Sequence, residues 1–180
     1  LFGAPYLCMH RADLTNALAS VIPQGTIHFN KKLVGLDEGA ANVTLTFEDG
    51  TTAVVDAVVG ADGVHSLVRE LVVGPDEPIH KGRIAYRAVF STERLRGKDL
   101  GPSRTKWWGI DRHIVIYYVT SNRGEIYFVT SVPESADWLT PESWSAKGDV
   151  KELRGAYEGF HPDVRAVLAA CLDCHKWAIL

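Results

Sequence analysis

The sequence has little sulfur, no long apolar run and almost no net charge, and each shortage removes a class of protein. Its 180 residues include three cysteines, Cys8, Cys171 and Cys174, and a single methionine. An odd cysteine count without a secretory signal argues against a disulfide framework and for a reducing, cytoplasmic setting. The formal net charge of −3 gives no electrostatic case for nucleic acid or an anionic membrane surface as a partner. No apolar run approaches the roughly 20 residues that a membrane helix needs. The first residues, LFGAPYLCMHR, carry neither an initiating Met nor a signal-peptide pattern, and the last, CHKWAIL, stop on an apolar strand-like run. Both ends read as cuts, so an internal piece of a longer chain is expected. There is also no G-x-G-x-x-G beside the one turn that has the look of a nucleotide-binding loop.

What is present suits a folded α/β chain. Apolar residues make up 46% and charged residues 23%, enough for one core or for parts of two. Leu14, Ala17, Leu18 and Val21 form the i, i+3, i+4, i+7 stripe of an amphipathic helix, ended by Pro23 and Gly25. A strand region follows through GTIHFNKKLVGLDEG. Val43, Leu45 and Phe47 then alternate against Thr44, Thr46 and Glu48, and the Asp49-Gly50 turn predicts a hairpin. Its second arm leads to an apolar strand at Ala57-Val58-Val59, a Gly60-Ala61-Asp62-Gly63 turn and a short helix from near Val64.

Beyond a Pro- and Gly-bearing link at Pro75 to Gly82 the character changes. GRIAYRAVFST, TKWWGIDRHIVIYYVTS and GEIYFVTSVPE read as long aromatic and β-branched strands, the last two joined at Asn122-Arg123-Gly124. Two helices are expected after Pro141, the second with Pro162 at a first helical position. Cys171, Cys174 and His175 match the C-x-x-C-H spacing of c-type haem attachment. In a strand-rich chain the plainer reading is a helix end with two thiols, and no metal is expected.

In the Gly60–Gly63 turn, the glycines permit backbone conformations or close approaches that a side chain blocks. Asp62 is awkward beside a phosphate and better suited to orienting backbone amides. Along RHIVIYYV, His113, Val115 and Tyr117 share one face of a strand, and Ile114, Ile116 and Tyr118 share the other. At roughly 3.3 Å per residue, His113 and Tyr117 stand at most about 13 Å apart. Trp107 and Trp108 must face opposite ways, and sheet core is the plainer role for them. His65 and Ser66 read as helix-start residues, with no nucleophile elbow around them.

The longer pattern DAVVGADGVHSLVRE, with Asp56, Asp62-Gly63, Ser66 and Arg69 in one register, resembles the DG fingerprint of flavin-dependent aromatic hydroxylases, the family of p-hydroxybenzoate and salicylate hydroxylases. HRADLTNAL resembles that family's Arg-x-x-Leu helix, and TIHFNKKLVGL resembles the strand whose backbone meets adenine. KWWGIDRHIVIYYVT with EIYFVTSVP looks closer still to members acting on a hydroxylated, carboxylated pyridine ring. The resemblance implies a fragment of the p-hydroxybenzoate-hydroxylase-like α/β (α+β) fold. Residues 1–82 would be the central part of a Rossmann-like FAD domain, and residues 83–180 a mostly antiparallel substrate-domain sheet with its helices.

The same resemblance implies an FAD-dependent monooxygenase using NADH or NADPH, O₂ and a small aromatic substrate. Arg11, Leu33, Asp62 and Gly63 would meet the cofactor, and His113 and Tyr117 the substrate. A cysteine found in some relatives just before Lys-Trp-Trp is Arg104 here, which points to an altered substrate. A salicylate-hydroxylase-like enzyme, a non-hydroxylating flavoprotein and a non-enzymatic module binding aromatic ligands are the alternatives. The isolated chain is expected to be inactive.

Overall fold

A computed structural model describes residues 3–4, 6–79, 81–101, 104–134 and 146–179. The chain divides into two compact units, Leu1–Leu18 with His80–Leu180, and Ala19–Ile79.

In the smaller unit, β1 (Leu33–Glu38), β2 (Val43–Phe47) and β3 (Thr52–Val55) form an antiparallel meander in that order. The Asp49-Gly50 turn sets the register, pairing Leu45 with Ala53. Asp49 accepts bonds from the Thr51 amide and hydroxyl and pairs with Lys31, contacts that hold its carboxyl well below the usual range. Gly50 takes φ +80°, the left-handed region that the tight turn requires.

Two expectations fail in this unit. Ala57-Val58-Val59 forms no strand. A strand is defined by its neighbours, and this run has no ladder partner among the described residues. The following helix, α2 (Leu67–Val73), begins three residues later than expected because Ser66 is its N-cap, its hydroxyl accepting from the Arg69 amide at 3.0 Å. The strand expected through GTIHFN likewise starts only at Leu33.

The larger unit is built on a six-stranded sheet in the order β5-β6-β7-β4-β9-β8. Its strands are β4 (Arg83–Ser91), β5 (Thr105–Trp108), β6 (His113–Tyr118), β7 (Glu125–Pro133), β8 (Lys147–Gly148) and β9 (Cys174–Ile179), all paired antiparallel. The stretch expected as one strand through KWWGIDRHIVIYYV folds back on itself, with the Gly109 amide donating to the Arg112 carbonyl at 2.7 Å. Gly109 leaves room for the Phe160 ring there, because a Cβ would meet it at 2.8 Å and one of the two would have to shift. The turn pairs Trp107 with Ile114 and Trp108 with His113.

Period-two alternation sorts the sheet into two faces. On one, Ile84, Tyr86, Ile114, Ile116, Ile126 and Phe128 are buried with Leu153 and Tyr157 of the α3 region (Val150–Ala156) and Val164, Val167 and Leu168 of α4 (Pro162–Ala170). Pro162 starts α4 as expected. Arg154 clamps the other end of α4, donating to the carbonyls of Leu168, Ala169 and Cys171, where the helix dipole favours a cation. The opposite face carries His113, Val115, Tyr117, Tyr127 and Val129, none fully buried. The helix α1 (Arg11–Ser20) buries no residue, so its expected apolar stripe is uncovered. No helix among the described residues is long and apolar enough to cross a membrane.

Candidate functional site

The open sheet face holds two adjoining cavities of about 450 and 440 Å³. Tyr6, Leu7, Cys8, Arg104 and Tyr117 line both, so the two form one furrow. Strand β6 places Tyr117 by alternation, since Ile116 turns to the helix face; Tyr118, partly packed on the core, also reaches the edge of the first cavity. The antiparallel register sets Tyr127 beside it, ring centroids 5.0 Å apart and tilted by 42°. Burial, with neighbouring Tyr127, Cys8 and Tyr6, pushes the Tyr117 phenol up to about 12, against a downward pull from Arg104. It is therefore a proton-bearing donor throughout the neutral range.

One wall of the furrow is the segment leading into α1. The His10 ring nitrogen meets the Glu125 carboxylate at 3.0 Å, which fastens this segment to the start of β7. Arg11, the residue expected to contact a cofactor, lines the second cavity with Met9, Leu14, Val115 and Val129. The furrow thus brings Arg11 and Tyr117 together. Three arginines, Arg11, Arg104 and Arg123, line it, and no acidic side chain does among the described residues. Such a lining favours an anionic, planar guest.

His113 lies on the same face but in a separate depression of about 350 Å³, with Arg83, Trp108 and Asp111. Its ring sits 5.0 Å from the Trp108 ring. Burial, with Lys106 and Arg83 nearby, lowers its pKa, so the imidazole is neutral at pH 7 and able to accept a proton. The buried Tyr157 donates its hydroxyl to the His113 carbonyl at 2.8 Å, anchoring the start of β6 from the helix side. Trp107 packs against the core as expected; Trp108 is 72% exposed and covered by the Lys106 ammonium at 3.8 Å from its centroid.

The other expected cofactor residues lie in the smaller unit. Leu33 opens β1. Asp62 accepts from the Ser66 hydroxyl and the Val68 amide, which lowers its pKa and commits it to orienting the turn. Gly63 sits at φ +86° with nothing within 4 Å of where a Cβ would stand, while a Cβ on Gly60 would strike Val68 at 2.9 Å. The turn therefore presents bare backbone at Gly63, a fit for close approach by a phosphate-bearing cofactor. Arg69 is spent locally, on the carbonyls of Val64 and Asp76.

Cys171 and Cys174 are both buried, and burial pushes each thiol up to about 11. Cys174 and His175 are adjacent on β9 and face opposite ways, so the C-x-x-C-H spacing does not converge. Sequence reasoning missed Tyr6 and Cys8 as furrow residues, and Tyr127 as the ring beside Tyr117. Only the pairing register could have found Tyr127, and nothing local marks the other two.

A unit with an antiparallel sheet, helices on one face and a cation-lined furrow on the other, in one chain with a hairpin-and-glycine-turn unit, matches the p-hydroxybenzoate-hydroxylase-like fold. A salicylate hydroxylase–substrate complex superposes with a TM-score of 0.78 at 27% identity, over 94% of this chain and 45% of that one. A family model described as flavin containing amine oxidoreductase matches residues 11–78. The 6-hydroxynicotinate 3-monooxygenase of Bordetella bronchiseptica is 40% identical over 179 residues, covering 99% of this chain and 46% of that protein. The enzyme of the same name from Pseudomonas fluorescens is 37% identical over 180 residues, with 99% and 46% covered. Along nearly its whole length the chain is similar to part of these flavin-dependent aromatic-ring monooxygenases. It spans about half the length of the curated relatives it matches.

Proposed function

We propose that this chain is the central part of a cytoplasmic, FAD- and NAD(P)H-dependent monooxygenase that hydroxylates a hydroxylated, carboxylated aromatic or pyridine ring. Likeness to the two 6-hydroxynicotinate 3-monooxygenases favours 6-hydroxynicotinate as the substrate, whose hydroxylation would be decarboxylative. A salicylate-type ring is the second reading, favoured by the fold likeness to the salicylate hydroxylase complex. The observation that carries the proposal is the furrow in which Tyr117 and Arg11 converge on the open sheet face. Residues 1–82 would serve the FAD domain and residues 83–180 the substrate domain.

Arg11, the Leu33 backbone, Asp62 and Gly63 are the residues that would hold FAD, Asp62 through the turn it organises. When bound and reduced, the flavin supplies, with O₂, an electrophilic oxygen for the ring. Tyr117 hydrogen-bonds the ring oxygen and fixes the ring plane. Neutral His113, on the same face but in its own depression, would act as a relay for the proton of the ring hydroxyl and not as its direct acceptor, raising the electron density of the carbon attacked. Val115, Val129 and Leu14 supply apolar walls that keep water from the reacting atoms.

The test uses the full-length protein with FAD bound and follows NADH oxidation as 6-hydroxynicotinate, salicylate and 4-hydroxybenzoate are added in turn. Strong stimulation by the first, with CO₂ and a dihydroxypyridine formed, is expected; stimulation by another ring would reassign the substrate. No stimulation by any of them in a flavin-loaded protein would overturn the proposal. Tyr117→Phe and His113→Gln should each lower turnover by roughly a hundredfold or more.

A further inference from the structure

Arg104 is the residue of the furrow whose chemistry the reading above leaves unused. It stands one residue before β5 and lines both cavities alongside Tyr117. Its guanidinium carbon lies 4.1 Å from the centroid of the Tyr6 ring. A guanidinium held over a ring by a cation–π contact makes no hydrogen bond there and keeps its N–H donors for other partners. Those donors are the part that matches a carboxylate, two N–H groups to two oxygens. Among the described residues no carboxylate is paired with Arg104, and none lines either cavity. Arg123 is placed differently. It lies in the β6–β7 turn with the Asp99 carboxylate at 3.9 Å and the Tyr118 ring at 5.4 Å, so its charge already has a local partner.

We infer that Arg104, held by Tyr6, is the specificity-determining residue of the furrow and grips the carboxylate of the ring substrate, leaving Tyr117 to the ring oxygen. This rests on the reading that the furrow holds the ring. It deepens that reading by requiring the guest to be an aromatic acid rather than a neutral phenol or amide. It also assigns Tyr6 a positioning role, since the ring contact limits the rotamers Arg104 can adopt.

The test measures binding directly, by calorimetry on the full-length, FAD-loaded protein, with 6-hydroxynicotinate and its uncharged analogue 6-hydroxynicotinamide. The acid should bind about ten- to a hundredfold more tightly, the range of one or two charge-assisted hydrogen bonds. Arg104→Gln should weaken the acid far more than the amide and so remove most of that preference. Arg104→Lys should restore only part of it, because an ammonium cannot match both oxygens. Tyr6→Leu should weaken the acid more than the amide, whereas Arg123→Gln should keep most of the preference.

The inference is overturned if Arg104→Gln weakens acid and amide equally, if it leaves the preference intact, or if Arg123→Gln alone removes it. Turnover separates this failure from that of the function proposed above. Ring hydroxylation without an Arg104-dependent preference sinks only the present inference. A preference for the acid that depends on Arg104, with no hydroxylation, sinks only the catalytic reading.

Discussion

The two units of this chain use similar residues to opposite effect. Among the described residues every buried side chain lies between Ile84 and Lys176, and the unit Ala19–Ile79 buries none. Both contain alternating β-branched strands and a short helix. In the larger unit the apolar face of the sheet meets α3 and α4, and Ile114, Ile126, Phe128 and Tyr157 are wholly shielded. In the smaller unit Val54 is 64% exposed and Val59 90% exposed, because no second layer covers them. A three-stranded meander with partly covered but no fully buried side chains relies more on turn chemistry and ladder hydrogen bonds, which contribute less per residue than apolar burial. Pattern, then, is a precondition for a core, and a second layer is what converts it into one.

Changes that remove core atoms should therefore separate the units most sharply. Phe128→Ala should destabilise the larger unit by about 3–5 kcal/mol, read as a shift in the denaturation midpoint at unchanged slope. Val54→Ala, an exposed change of similar chemistry, should move stability by no more than about 0.5 kcal/mol. Equal effects would break the contrast. Next in size is Gly60→Ala. Its new Cβ would lie 2.9 Å from Val68, and a cost of about 1–3 kcal/mol is expected, with earlier hydrogen exchange in α2 as the local sign.

Ser66→Ala should cost about 1 kcal/mol through the lost N-cap, again visible first in α2. The smallest effect is acid sensitivity of the β2–β3 turn. The Asp49 carboxyl is depressed by its bonds from Lys31 and Thr51, so its contribution is present above the ordinary carboxylate range and lost as the pH falls through it. Exchange of the β2–β3 amides should therefore quicken on acidification in the native protein and change less in Asp49→Asn. Tyr117 runs the other way. With its phenol raised to about 12, its contribution is present below about pH 10 and lost as the pH climbs toward 12. The difference in ultraviolet titration between the protein and Tyr117→Phe checks this.

The parts readable from sequence are those governed by local rules. The facing of His113, Val115 and Tyr117 followed from a period of two, and the Asp49-Gly50 and Asn122–Gly124 turns followed from residue type. The parts that eluded it depend on partners far along the chain. Ala57-Val58-Val59 has strand composition but no neighbour to pair with, and the α1 stripe has helical spacing but nothing to cover it. KWWGIDRHIVIYYV reads as continuous until Gly109 is seen against Phe160, fifty-one residues later. The furrow was half visible: Tyr117 came from β6 itself, while Arg104, Tyr6 and Tyr127 meet it only through tertiary pairing. His113 shares the expected face with Tyr117 yet sits in its own depression, although Val115, two residues on, already lines the furrow.

Strand β6 also constrains how this site can diverge. Its two sides serve different masters: Ile114 and Ile116 belong to the core, and His113 and Tyr117 to the open face. Inserting or deleting one residue within it would swap the sides, sending a phenol inward and an isoleucine to the guest. Lineages descended from such a protein can explore new rings by exchanging side chains at fixed places, and can add or lose length only in the connections at its ends.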